Sequence, residues 1–379
     1  LVGSEMCIRD RHIFNPDTDY ALASDSENYT PPVSILAIKR SLSLLPALYA
    51  ERGDAILLPD DNPEFLQENH AFIEIISTKD ITLVRPRHIH LFLEEHKNAR
   101  IRPWGWNRTL RKWLVSSGVK ENFIPSTEQI TALRNISHRR VTIPFIMNMG
   151  DIRNEEIQVP KEFSDINEAL AFRENCGDVY FKAPWSSSGR GLLYTKDLEK
   201  RHIEPWLRGI IRSQGSVMGE TAYDRILDFA TEWECKDGKA LFIGVSTFTT
   251  SDRGKYKSNI VAPQENIVSF ILQQIDIHGK GNNLSEIIKR QSLLLENYVA
   301  PFYDGPLGID MLVTSERNIH PCVEINLRDT MGRVAIDIQQ RIISEDATEL
   351  EIGFLRRLTS GGIFSPMHLL STLRDIESN

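Results

Sequence analysis

From Leu307 to Arg328 the chain runs through two stretches of alternating character, separated by the polar run Thr314-Ser315-Glu316-Arg317-Asn318. That pattern predicts an antiparallel hairpin whose strands cover Leu307 to Val313 and Val323 to Arg328. In the second strand Val323, Ile325 and Leu327 take one face, and Glu324, Asn326 and Arg328 take the other. Asp310 and Glu324 are equidistant from Arg317. A hairpin symmetric about that residue sets the two carboxylates opposite each other, with Cβ atoms about 5 Å apart. Like charges at that range repel, and a cation between them removes the conflict. The oxygens of Asp310, Glu324 and the Asn326 amide form a hard donor set suited to Mg²⁺, which completes its shell with water and substrate phosphate. Taken singly, each carboxylate reads as a solvent-facing strand charge. The alternation of all of them on one face is what argues for a site.

A second stretch carries complementary chemistry. Lys182 sits in the short apolar strand Val179 to Ala183, which runs into Ser186, Ser187, Ser188, Gly189, Arg190 and Gly191. Small residues let backbone N–H groups approach an anion, the serines add hydroxyl donors, and Lys182 and Arg190 add charge. The loop matches neither the P-loop nor the three-glycine dinucleotide fingerprint. The bland readings are a snorkelling edge lysine for Lys182 and a solvated loop tip for Arg190.

Together these stretches resemble the ATP-grasp superfamily over residues 126–335. Its members carry a strand lysine before a glycine-rich loop, then a hinge glutamate, then an Asp and a Glu-x-Asn on neighbouring strands. The matching residues are Lys182, the loop Ser186 to Gly191, Glu220, Asp310, Glu324 and Asn326, with Arg328 behind them. The resemblance implies an α/β chain, α+β in its C-terminal part, with an N-terminal α/β domain ahead of the ATP-grasp fold. It places Glu220 at the hinge that meets adenine and ribose, with Asp228 as a further ribose candidate. Relatives carry an earlier lysine on the phosphates; here Ser137-His138-Arg139-Arg140 offers Arg139 or Arg140, and arginine grips phosphate bidentately. Also implied are ATP, one or two Mg²⁺ ions on Asp310, Glu324 and Asn326, and Lys182 and Arg328 as the catalytic residues. The expected reaction joins a small-molecule or peptide carboxylate to an amine through an acyl phosphate. A kinase on a hydroxyl and a nucleotide-binding module without turnover are the alternatives. Phe14 to Leu22, Tyr29 to Pro32 and Pro103 to Trp106 are similar to a bacterial group within the superfamily.

Composition agrees with this class. The 379 residues are 41% apolar and 25% charged, as in an ordinary globular chain with two or three cores. A formal charge of −8 argues against a nucleic-acid surface. No apolar run approaches the roughly 20 residues of a membrane span, so no membrane partner is expected and the cytoplasm is the expected compartment. Cys7, Cys176, Cys235 and Cys322 show no paired spacing. Oligomeric state is not legible.

The expected domains are an artefactual or disordered arm over residues 1–11, which resembles a translated sequencing adapter, then an N-terminal α/β domain (12–125), a small lid (126–218) and a large subdomain with the metal site (219–379). Helical spacing is expected over Val33 to Tyr49 and Thr109 to Ser117, and a lid strand over Arg140 to Ile146. Asp17 and Asp19 fit either a cation or amine contact or a helix-capping turn, and the basic run Arg253 to Lys257 fits either recognition of an anionic substrate group or a solvated hairpin tip, the default for such a run.

Overall fold

Short apolar segments ended by turn residues build three sheets. The fold is seen in a computed structural model that describes residues 10–369 apart from 60–72, 74–75, 97–98, 187–188, 190, 252–255, 277, 280–281, 345–346 and 367–368. Asp10–Ile13 (β1), Ala55–Leu57 (β2), Thr82–Val84 (β3) and Arg100–Pro103 (β4) lie parallel in the order β3-β2-β1-β4. Strand order reverses direction between β1 and β4, and at such a switch point the carboxyl ends of the strands leave a crevice. The Asn15 side chain crosses it, donating to the Gly105 carbonyl at 2.6 Å. The expectation that residues 1–11 stand outside the fold is corrected for Asp10 and Arg11, which pair with Arg100 and Ala55.

Lys161–Phe163 (β5), Val179–Lys182 (β6), Leu192–Tyr194 (β7) and Val217–Thr221 (β8) form the lid sheet, ordered β5-β8-β6-β7 and antiparallel. Val179 and Phe181 point into a core closed by helices Ile166–Cys176 and Lys200–Gln214. Tyr180 and Lys182 therefore face the other way. The strand expected over Arg140 to Ile146 is absent: Arg139–Val141 is a 3₁₀ turn and Thr142–Met147 a helix. An apolar run of that length is ambiguous by periodicity, and Pro144 falls in the first helical turn, where it costs no hydrogen bond. This helix and Thr127–Ile136 pack on the large sheet rather than in the lid core. The helix expected over Val33 to Tyr49 stops at Ser41, and Leu45–Leu48 forms a separate 3₁₀ turn with Pro46 near its start.

The large sheet contains Arg225–Lys236 (β9), Lys239–Thr250 (β10), Tyr256–Ile260 (β11), Gly305–Thr314 (β12), Ile319–Asn326 (β13) and Ile363–Phe364 (β14), in the antiparallel order β13-β12-β9-β10-β11-β14. Phe229, Trp233, Ile309, Met311, Val313 and Ile325 face a core shared with helices Gln264–Gln274 and Leu284–Tyr298. Alternation then puts Asp228, Glu232, Asp310 and Glu324 on the opposite face.

The hairpin β12–β13 has the expected carboxylate pair, Asp310 opposite Glu324, by an unexpected route. Val313 faces Ile319, which centres the turn on Glu316 rather than Arg317. Between the pairs Leu312–His320 and Asp310–Glu324, β12 moves two residues and β13 moves four, so an irregularity around Pro321 restores the register. Proline is tolerated there because β13 is an edge strand.

Helix Met331–Ile342 starts above this face, capped by Thr330, whose hydroxyl accepts from the Arg333 amide and donates to Glu232 Oε2 at 2.7 Å. The approach is so close that a Cβ at Gly332 would stand 2.0 Å from Glu232 Oε1 and 2.2 Å from Ser246 Oγ. Gly332→Ala is therefore expected to destabilise by about 1–3 kcal/mol through overpacking. Gly353→Ala, in helix Glu349–Leu358 with nothing within 4 Å, is expected to stabilise by about 0.5–1 kcal/mol. Urea midpoints of the two variants should move in opposite directions.

Candidate functional site

Arg139 joins the Ser186 loop to the β12–β13 hairpin. The His138 side chain caps its 3₁₀ turn by accepting from the Arg140 amide, and the Arg139 amide donates to the Pro184 carbonyl. Its guanidinium then donates to the Ala183 carbonyl, to Ser186 Oγ at 2.8 Å, to the Ser186 carbonyl at 3.2 Å and to Glu324 Oε1 at 2.6 Å. Of the two arginines left open by the sequence, Arg139 points inward, whereas Arg140 is half exposed against Glu162.

Lys182 reaches across the lid sheet to Glu220, Nζ to Oε2 at 2.5 Å, with side chains only 7% and 11% exposed. Glu220 stands opposite Tyr180, and Lys182 opposite Met218, so the pair spans a diagonal of β6 and β8. The other carboxylate oxygen, Glu220 Oε1, is buried without a hydrogen-bond partner. The buried Cys322 thiol is pushed well up by burial and then by the charges of Glu220, Asp310 and Glu324. His320 is also buried, its pKa lowered to about 3 by burial and by the Lys182 charge, so its imidazole is neutral.

Asp310 has no cation within ion-pair distance among the described residues, and burial followed by the charges of Glu324 and Glu232 pushes its pKa above the usual carboxylate range. Arg328 donates through Nη2 to Asn326 Oδ1 at 2.9 Å and through Nε to Asp19 Oδ2 at 2.9 Å. The N-terminal domain thus closes the site. Gly105 permits it, since a Cβ there would meet Thr18 at 2.7 Å and Arg328 Cβ at 3.1 Å. Asp17 starts helix Thr18–Ser24 without a side-chain cap, so the capping reading of the Asp17-x-Asp19 pair is not realised.

Asp228 lies further along β9, accepting from Thr250 Oγ1 at 2.8 Å. It lines a cleft of about 620 Å³ between lid and large sheet, together with Tyr223 and the stacked pair Tyr180 and Tyr194. Gly189 and Gly191 both have positive φ. Ser187, Ser188, Arg190 and the basic run's residues 253–255 lie outside the described residues. Sequence reading missed Glu232, whose position inside a strand pattern looks like any exposed charge. It missed the partnership of Asp19 with Arg328 because 309 residues separate them.

The donor set fits Mg²⁺. Two crowded carboxylates, one lacking a counter-cation, supply hard oxygens, but they do not reach a group of three or more His, Cys, Asp or Glu able to hold a metal, and none occurs among the described residues. The rest of a shell would fall to Asn326, water and phosphate.

Neither a protein-family model nor a curated protein matches the sequence. Solved structures do match. A Campylobacter jejuni biotin carboxylase, in a complex titled as its β,γ-ATP complex, superposes with a TM-score of 0.51 at 13% identity, over 93% of this chain and 71% of that one. The L-amino acid ligase of Bacillus licheniformis gives 0.45 at 12% identity, over 92% and 73%. The Staphylococcus aureus N5-carboxyaminoimidazole synthetase, complexed with ADP, gives 0.42 at 9%, over 85% and 71%. The fold is the ATP-grasp fold preceded by an α/β domain, as the first of these superpositions shows.

Two outcomes follow from the charges. Lys182→Met strands Glu220 in a buried position and is expected to cost about 3–5 kcal/mol, most of it recovered in Lys182→Met/Glu220→Gln, as read by urea unfolding. Without divalent cation, folded Asp310 keeps a proton that the unfolded chain has released, so stability falls as pH rises above the ordinary value near 3.8. Asp310→Asn removes that slope; in EDTA its melting temperature relative to wild type should be higher at about pH 8 than at about pH 5.

Proposed function

We propose that this protein is an ATP- and Mg²⁺-dependent ligase that joins a carboxylate to an amine through an acyl phosphate. The observation that carries the reading is the Arg139 guanidinium, which ties Ala183 and Ser186, next to Lys182, to Glu324 opposite Asp310. Cations on the lid side and carboxylates on the hairpin side suit a metal-bound triphosphate. Asp228 and the three tyrosines line a cleft between lid and large sheet suited to a nucleoside. Each of the structures compared above is titled a carboxylase, ligase or synthetase, and two are titled with nucleotide.

Asp310, Glu324 and Asn326 would hold Mg²⁺, which offsets phosphate charge when bound. Lys182 and Arg139 bind phosphate oxygens. Arg328, at the mouth of the N-terminal crevice, orients the acceptor carboxylate for attack on the γ-phosphate and stabilises the acyl phosphate that forms. An amine then attacks the acyl carbon and phosphate leaves. The lid excludes water from an intermediate that hydrolyses readily. Positioning and electrostatics carry the rate, with no covalent role for the chain.

Hydroxylamine provides the test. With ATP, Mg²⁺ and a panel of carboxylic acids, the protein is expected to yield ADP, free phosphate and a hydroxamate. Lys182→Ala and Glu324→Ala should lose about a hundredfold or more of turnover, while Asp197→Ala, on an exposed turn, should retain it. A stable phosphoester would identify a kinase instead, and nucleotide binding without ADP formation would identify a binding module.

A further inference from the structure

The Arg139 guanidinium occupies two places at once. One end is held by Ser186 and Ala183, at the entrance to the loop assigned to phosphate, and the other holds Glu324 Oε1 at 2.6 Å, the carboxylate assigned to metal. The side chain is 5% exposed, and Arg139 Nε is buried without a hydrogen-bond partner. Arginine does not deprotonate in proteins, so this charge is permanent. Among the described residues Glu324 has no other ion pair, while Asp310 opposite it has none at all. The pair of carboxylates is thus half neutralised by the protein itself.

This has a consequence for how a cation enters. A divalent ion arriving alone must share or take Glu324, leaving a buried guanidinium with a weakened counter-charge, which is costly. A nucleotide arriving at the Ser186 end brings phosphate oxygens, the anion arginine grips best through two parallel N–H groups. Resting on the nucleotide reading given above, we propose that Arg139 is a positioning residue that stands on Glu324 until nucleotide phosphate takes its guanidinium over. A divalent cation then binds this centre together with nucleotide and only weakly without it. A planar guanidinium fork serves carboxylate and loop simultaneously, which a lysine ammonium would not do with the same geometry.

The test uses the full chain and bare Mn²⁺, read as free-ion signal by electron paramagnetic resonance without nucleotide. Arg139→Gln is expected to tighten bare Mn²⁺ binding about tenfold or more, and addition of Glu324→Gln to cancel the gain. Arg140→Gln removes the same charge one residue away, from a half-exposed pair with Glu162, and should stay within about twofold of wild type. Saturating ADP should tighten Mn²⁺ binding to wild type about tenfold, and less in Arg139→Gln. An Arg139→Gln protein that folds, by its thermal melt, yet binds bare Mn²⁺ like wild type overturns the proposal, as does an equal gain in Arg140→Gln. Should Arg139→Gln not fold, wild-type affinity for Mn²⁺ that is the same with and without bound ADP overturns it. Failure of wild type to bind ADP, titrated separately, refutes the nucleotide reading instead.

Discussion

An excess of carboxylates on the open face of one antiparallel sheet sets the terms for everything built around it. Asp310, Glu324 and Glu232 project from neighbouring strands, and Asp19 adds a fourth from the N-terminal domain. Each is dealt with differently. Glu232 is buried under the start of helix Met331–Ile342 with two hydroxyl donors. Glu324 takes Arg139, Asp19 takes Arg328, and Asp310 is left with burial and its neighbours' charges raising its pKa. A protein does not keep a carboxylate in that condition for stability, since buried ionic groups are at best neutral to it. Perturbed groups of this kind cluster at functional sites, and the proposed ligase reading gives Asp310 such a role.

The arrangement also explains where the lid sheet, the large sheet and the N-terminal domain meet. The lid contributes Lys182 and Glu220 from the face its own core does not use, and the large sheet contributes the hairpin from its polar face. The N-terminal domain approaches through Gly105 and Asp19 onto Arg328. The ion pairs Arg139–Glu324 and Asp19–Arg328 join the units, and Phe14, Ile56 and Trp104 of the N-terminal domain also share an apolar cluster with Val334, Ile338, Phe354 and Phe364.

Much of this was legible along the chain where the signal was local. The alternation from Val323 to Arg328 identified the strand, its faces and the residue opposite Asp310, and the serine-glycine run after Lys182 identified the loop. The pairing was reached for a partly mistaken reason, because the turn centres on Glu316 and a bulge near Pro321 compensates. Arg140 to Ile146 was misread as a strand since a short run dominated by apolar residues satisfies either period, and the break in the helix after Ser41 left little trace beyond Pro46.

By itself, then, the amino-acid order determined which side chains share a strand face and which short segments turn, because those properties depend on neighbours two to four positions apart. Only the tertiary structure decided the partners: Arg139 rather than Arg140 for Glu324, Glu220 for Lys182, Asp19 for Arg328. Ion pairs between residues tens to hundreds of positions apart are set by how sheets and loops pack, and nothing in local spacing encodes which of several like charges ends up within 3 Å of a given carboxylate.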